Sequence, residues 1–482
     1  MISTFLLFSI NCYGDQPQPD SKKGQNYYVS PKGKDSNNGL SENQPFKTPQ
    51  KVADLTKPGD TVYFMDGLYL STNIDRGIKI NNSGTADAWI TYKAMPGAKP
   101  IIKQIGGWDH IIIKASYILI DGLNVEGNSA AYTQKEAEEA YERCITAKNA
   151  GRPIDYNSIA QYNTNGIDVT GRELRPAGLE VPHHVTIRNC EISYCPGGGI
   201  ATMESDWILI ENNRVHNNCA PMMWAGSGIS IFHSMDVDTN VTDYKNIVRN
   251  NIVYRNQTNI KWIDMDRYSD GNGIIIDDNK NAQISFTPYK GRTLVENNIC
   301  YENGGSGIHG FSSSNVDIIH NTVYNNGRNP DVNYPNIFLA ACINSRLVNN
   351  ISVATDGKNS SDDGNEQCVY ANNIYFGGII PENLGINDRV INPQFVNLWR
   401  YDFHLRKNSP AIDTATPSLK SIKDYEGNVR PQGAESDVGA HESAYTSETP
   451  LSQIVDFAAL MTPKQYQTKK GKSLKGTVAV DD

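Results

Sequence analysis

The chain has 482 residues, with 40 glycines, 25 tyrosines and a formal net charge of −9. That mix suits many short strands joined by tight turns, not a helical bundle. The acidic balance disfavours nucleic acid and anionic membrane surfaces as partners, and the length admits one elongated repeat domain as readily as two or three compact ones.

The first residues, Met1-Ile-Ser-Thr-Phe-Leu-Leu-Phe-Ser-Ile-Asn-Cys12, have the apolar core of a signal peptide without its basic front. Export to the periplasm, cell surface or medium is the expectation. Cys12 is a candidate lipid anchor and the single expected membrane contact; residues 1–25 read as this segment plus a polar tether. Domain 26–444 follows. Tyr27-Tyr-Val-Ser-Pro31, Pro45-Phe-Lys-Thr48 and Pro58-Gly-Asp-Thr-Val-Tyr-Phe64 are expected in its first coils. An insertion near 126–164 contains Gln134-Lys-Glu-Ala-Glu-Glu-Ala-Tyr-Glu-Arg143, which has helical propensity.

From there a hydrophobic-x-Asn-Asn motif recurs, as Ile210-Glu-Asn-Asn213, Val248-Arg-Asn-Asn251, Val295-Glu-Asn-Asn298, Leu347-Val-Asn-Asn350 and Tyr370-Ala-Asn-Asn373. With the degenerate copies at 187 and 318, the starts 187, 210, 248, 295, 318, 347 and 370 give steps of 23, 38, 47, 23, 29 and 23. A minimal step of this size is one turn of a three-sided strand solenoid, whose coils must stack to share a core. Asparagine tolerates left-handed backbone at a bend, and its amide can bond the coils above and below. The fold class predicted is all-β, a right-handed parallel β-helix of three sheets with loop insertions.

A second series alternates with the first: Asn165-Gly-Ile-Asp168, Gly198-Gly-Ile-Ala201, Ser227-Gly-Ile-Ser230, Asn272-Gly-Ile-Ile275 and Ser306-Gly-Ile-His309. Its isoleucines (Ile167, Ile200, Ile229, Ile274, Ile308) should stack inside. Asp168, Ala201, Ser230, Ile275 and His309 should then face out along one sheet. The long steps place insertions at 216–243 and 255–290, where they would wall a groove over that sheet. Asn392-Pro-Gln-Phe395, Asp402-Phe-His-Leu405, Ser409-Pro-Ala-Ile-Asp413 and Asp437-Val-Gly-Ala-His-Glu442 are expected as closing coils, with a polar tail over 445–482. The eight cysteines lack the paired spacing of a zinc site and read mostly as small core residues.

The opening and closing segments, with the coils between, resemble the pectate-lyase-like superfamily of exported β-helix proteins over roughly 27–442. Within it, Asp270-Gly-Asn-Gly273 is similar to the segment that carries the base in polysaccharide lyase family nine, the pectate and rhamnogalacturonan lyases. The lysine of that segment is replaced by Ile275, and the family's Asp-Asp-Gly-x-Asp calcium motif is missing. The resemblance implies an acidic polysaccharide, pectic or rhamnogalacturonan, as substrate and calcium as cofactor. A monomer is expected.

Elimination at a uronate needs a cation to neutralise the carboxylate, a base for the C5 proton and a group for the leaving O4. The expected base is Lys280, with Arg267 clamping the carboxylate and His309 and His233 as acid–base candidates; His233 aligns with Asp278. Asp277 and Asp278, with Asp270, are the expected calcium ligands. Lys261, Trp262, Tyr268 and Ser230 are expected to contact sugar. The rival chemistry is a glycoside hydrolase using two carboxylates among Asp264, Asp266, Asp277 and Asp278. The third possibility is a non-catalytic carbohydrate-binding or adhesin β-helix.

Overall fold

A computed structural model describes residues 23–447. The signal-like segment, Cys12 and nearly all of the polar tail lie outside these residues. Three parallel sheets wind around one core. One runs from Asn26–Val29 to Val369–Ala371 and one from Gly67–Ser71 to Arg389–Val390. The third, called here the groove sheet, runs from Arg76–Ile80 to Asp362–Asp363. A complete coil is Asp206–Glu211, Arg214–His216 and Ile229–Phe232, one strand in each sheet. The chain is the expected parallel β-helix.

The register explains the repeat. Ile167, Ile200, Ile229, Ile274 and Ile308 pair in sequence across the groove sheet and are fully buried. In each Asn-Asn pair the first residue makes the bend, with φ of 57° at Asn212, 56° at Asn250, 53° at Asn297 and 59° at Asn349. The second builds a ladder through the bend. Asn213 donates to Asn251 at 3.1 Å, Asn251 to Asn298 at 3.0 Å, and the rungs continue through Asn321, Asn350 and Asn373. A second ladder at the next bend links Asn218, Asn256, Asn303, Asn326 and Asn336. Each rung joins two coils and also satisfies a backbone carbonyl, as Asn298 does with Val248.

The core is capped at its first coil. At the start, Phe46 and the short helix Pro49–Ala53 put Val52 and Ala53 over the first coil. The far end corrects the expected closing coils. After Arg389–Val390 the chain leaves the helix and forms an antiparallel hairpin, Phe395–Asn397 with Asp402–Leu405. It then runs back as a strap along the bend between the two sheets away from the groove. Asn372 donates to Thr414 O, Asn349 to Leu419 O and Asn297 to Lys423 O. Those donors are the first residues of the Asn-Asn pairs, whose left-handed backbone turns the amide outward. The strap has apolar strand-like pieces, but its Ser-Pro, Asp-Tyr-Glu-Gly and Arg-Pro turns have no 23-residue spacing to join a coil.

Seven cysteines of the described residues are buried and unbridged. No helix among these residues is long and apolar enough to cross a membrane.

Candidate active site

The groove sheet is the face the strap leaves open. Its outward column is Ile112, Asp168, Ala201, Ser230, Ile275, His309 and Phe338, each paired to the next. A second outward column, two residues later, is Thr170, Met203, Phe232, Asp277, Phe311, Ala340 and Asp363. The two columns floor a cavity of ≈ 880 Å³. Its nine strands span roughly 38 Å at the usual strand spacing. Such a channel holds several units of an extended chain.

The inserted loops form the walls. Met222, Trp224 and Gly226 come from the loop before Ile229–Phe232, and Trp262, Asp264, Arg267, Ser269 and Asp270 from the loop before Ile274–Asp277. The helix Gln134–Asn149 begins with a full capping box between Thr133 and Glu136. It braces the second loop: Tyr141 donates to Asp266 at 2.7 Å, and Lys148 donates to Ile263 O at 3.1 Å. Ala137, Ala140 and Tyr141 share an apolar cluster with Met223, Ile260 and Ile263. Tyr156, Trp108 and Trp224 form an aromatic wall, with Trp108 edge-on to Trp224 at 5.8 Å.

The groove gathers polar atoms that the protein leaves unpartnered. Asp277 Oδ1 and Asp168 Oδ1 are buried without a hydrogen bond, as are both ring nitrogens of His309. Burial, with the neighbouring Asp270 and Asp278 charges, holds the Asp277 carboxyl well above the usual carboxylate range. Asp270, on the approach to the same strand, is pushed up to about 6 by burial, opposed by a 3.1 Å hydrogen bond from Asn272 and by Arg267. His309 is pushed down to about 3 by burial; its ring stacks on Phe338 at 3.9 Å and meets Tyr334 edge-on at 5.4 Å. Tyr334 also meets Ser269 at 3.4 Å, and burial and Asp270 raise its phenol.

A second polar group lies toward the first coils. Arg76 bonds Asp109 at 2.9 Å, and Asn165 donates to Asp109 at 3.1 Å. Burial, then Asp109, raises the Asp168 carboxyl well above its ordinary range. Asp168 and Asp277 are three strands apart, so about 14 Å or more separates them. That exceeds the roughly 6.5–9.5 Å over which two carboxyls act on one glycosidic bond. Asp168 is therefore too far from Asp277 for the two to act on one bond.

Of the sequence-predicted residues, Arg267, Trp262, Ser230, Asp270, Asp277 and His309 line the groove together. Asp264, from the hydrolase set, lines it too. Lys280 does not. The strand ends at Asp277, and Asp278 turns the chain left-handed at φ 41°. The turn carries Lys280 away from the groove floor, where its ammonium donates to Ala341 O at 2.9 Å. His233 occupies the same turn one coil earlier, at φ 49°, and pairs with Asp278 at 3.1 Å, both buried. That pair, expected as acid–base and metal-ligand groups, staples two turns. Lys261 pairs with Asp266 at 3.1 Å within its loop, and Tyr268 lies outside the lining.

Calcium takes six to eight oxygens. Asp278 already accepts from Gln283 N and Ala282 N, from the Ser312 hydroxyl and from His233. Asp270 and Asp277 alone remain of the expected set, so these three carboxylates do not fit a calcium ion. Sequence reasoning missed Arg76, Asp109, Arg172 and Tyr334. The first three precede the insertions on which the groove was placed. Tyr334 sits in the coil whose step is 29 residues, an excess small enough to read as an ordinary turn.

A profile described as "Pel9A-like, right handed beta helix region" matches residues 27–341. No curated protein sequence matches the chain. Among solved structures, pectate lyase Pel9A is similar at 15% identity and a TM-score of 0.50, covering 88% of this chain and 97% of that one. A rhamnogalacturonan lyase follows at 13% identity and a TM-score of 0.39, covering 91% and 98%. A glycoside hydrolase has 9% identity and a TM-score of 0.46, covering 80% and 99%.

Proposed function

This chain belongs to the Pel9A-like right-handed β-helix family, and from that premise we propose that it is a polysaccharide lyase cleaving a uronate-containing, pectic polymer in its groove. The observation that carries the reading is the pair Asp270 and Asp277 beside Arg267. Two carboxyls with separated proton affinities supply an acid and a base to one sugar. Asp270, pushed up to about 6, gives up its proton near neutral pH, and Asp277, held well above the usual carboxylate range by burial, is the carboxyl that favours its protonated form. Asp270 takes the C5 proton, the C5 electron pair forms the C4–C5 double bond, and the C4–O4 bond breaks. The leaving oxygen takes the Asp277 proton. Arg267 faces the uronate carboxylate, whose charge must be neutralised for C5 to become acidic.

Charge on the lining supports the acidic substrate. The side chains of Arg172, Arg267 and Lys358 line the groove without a hydrogen bond or ion pair among the described residues. Raised carboxyls at Asp168 and Asp277 soften the repulsion a polyanion would otherwise meet. Trp108, Trp224 and Trp262 offer apolar faces for sugar rings. The second reading is a glycoside hydrolase, favoured by the same acid–base pair acting on a glycosidic bond through water.

The deciding experiment incubates the exported chain with pectic polymers, with and without chelator. It follows both reducing ends and the ultraviolet absorbance of the unsaturated uronate. New ends with new absorbance are expected. New ends without absorbance give the hydrolase, and no new ends on a broad panel of glycans overturn cleavage altogether. Loss of activity with chelator would mean that calcium enters with the substrate carboxylate.

A further inference from the structure

Far from the groove, the hairpin and the strap meet at three side chains. His404 lies on the hairpin strand Asp402–Leu405, Glu426 on the strap's Asp424–Asn428 turn, and His441 near the strap's end. One ligand-capable atom from each lies within 4.8 Å of the others. We propose that this triad is a binding site for a divalent transition ion of the zinc class, which clips the hairpin to the strap.

The donor set fits. Two imidazoles and one carboxylate are a common zinc set, with the fourth position left to water. His404 Nε2 is 3.1 Å from Glu426 Oε1. Two donors on a tetrahedral ion with bonds near 2.0–2.1 Å sit roughly 3.3 Å apart, so the pair is already near the spacing an ion requires. The other His404 nitrogen, Nδ1, lies 2.6 Å from Asp402 Oδ1. A carboxylate accepting the second N–H of a histidine fixes its tautomer and turns its free nitrogen toward the metal.

His441 supplies the independent observation. It is 6% exposed, its Nδ1 is buried without a hydrogen-bond partner among the described residues, and its ring packs on that of His404 at 4.2 Å. An orphaned buried imidazole nitrogen is costly. Nothing in the strap's own hydrogen-bonding, which satisfies neighbouring Glu442 through Arg430 and Gln432, uses it. A softer N,N,O set selects zinc-like ions over calcium or magnesium.

The site has a structural purpose. The hairpin, through Phe403, and the strap, through Ala411, Val438 and Ala440, cover the apolar outer faces of Ile299, Tyr301, Ile351 and Ile374. A metal joining His404 to Glu426 and His441 cross-links the two parts of that cover.

The test uses the full chain, its purification tag removed, after stripping with chelator and dialysis. Zinc chloride is titrated and binding followed by equilibrium dialysis; Co²⁺ serves as a spectroscopic stand-in. One ion per chain is expected, with the visible absorption of four-coordinate Co²⁺ and a higher unfolding temperature with zinc. Glu426→Gln and His404→Ala should abolish this binding, and Asp402→Asn should weaken it about 10- to 100-fold. Glu426 and His404 are both exposed, and circular dichroism of the variants confirms folding. Unchanged zinc affinity in Glu426→Gln and His404→Ala, no zinc bound by the wild-type chain, or calcium bound in preference to zinc would each overturn the site. Cleavage by Glu426→Gln should match wild type, which separates this result from the groove's function.

Discussion

The asparagine bends and the groove sheet are built on the same coils, yet they treat polar atoms in opposite ways. At the bends the second asparagine of each pair spends its amide inside the protein, although the first leaves an Oδ1 without a hydrogen bond at Asn250, Asn297 and Asn372. Asn298 alone bonds Asn251, Asn321 and the Val248 carbonyl. On the groove sheet, Asp168, Asp277 and His309 keep buried polar atoms with no protein partner. An unpaired buried polar group costs about 1–3 kcal/mol. The ladder asparagines escape that cost, whereas Asp168, Asp277 and His309 carry it on the face left open to a ligand.

Exchanging the roles of the two regions in mutants breaks or sharpens this contrast. The largest effect is expected at Asp277→Asn, which removes the proposed acid while keeping shape. Turnover should fall about 10²- to 10⁴-fold, with the urea midpoint unchanged or raised, because an unpaired raised carboxyl stabilises nothing. A lower midpoint together with full activity would place Asp277 in the scaffold. Asn298→Ala should do the reverse. It orphans groups on the two neighbouring coils at once and should cost about 2–3 kcal/mol in urea unfolding, leaving KM intact in the folded fraction.

The two regions were also unequally legible in sequence. The bend motif repeats and its spacing is set by coil geometry, so Asn213, Asn251, Asn298, Asn350 and Asn373 identify the fold unaided. The inward isoleucines and the outward Asp168, Ser230 and His309 followed from alternation alone. What alternation does not carry is where a strand stops. Asp277 and Asp278 are adjacent and chemically identical, yet the first points into the groove and the second, left-handed, caps a turn. Lys280 and His233 were misplaced by the same one-residue boundary. The strap was misread because its short apolar pieces, Pro410-Ala-Ile412 and Val438-Gly-Ala440, look like coil strands in sequence, and only long-range pairing separates them.

Titration gives the next test, somewhat smaller. Asp270 rises from its ordinary value to about 6 on folding. Below the unfolded pKa it is protonated in both states and its contribution is fully present. As pH climbs through about 6 the folded state binds the extra proton and then loses it, so stability is lost over the window from about 4 to 6. For a half-buried carboxyl this loss is on the order of 2 kcal/mol. Asp270→Asn should flatten that segment of the stability–pH curve. The wild-type rate should also fall below pH 6, as the proposed base takes up its proton. A curve with the same slope in the variant would show that Asp270 is not the titrating group.

The smallest effect separates acidic from neutral substrates. The Arg267 side chain has no hydrogen-bond or ion-pair partner among the described residues, so Arg267→Ala should leave the unfolding free energy within about 0.5 kcal/mol of wild type. If its guanidinium holds a uronate carboxylate, KM on a pectic polymer should rise about tenfold, or about 1.4 kcal/mol. The same substitution should not change KM on an esterified polymer, whose carboxyl carries no charge. Raising salt should weaken wild-type binding of the acidic polymer more than that of the variant, because exposed charges are screened. Equal losses on both polymers would mean that Arg267 only packs the loop. The groove would then select by shape and aromatic faces, and the neutral-glycan hydrolase reading would gain what the lyase reading lost.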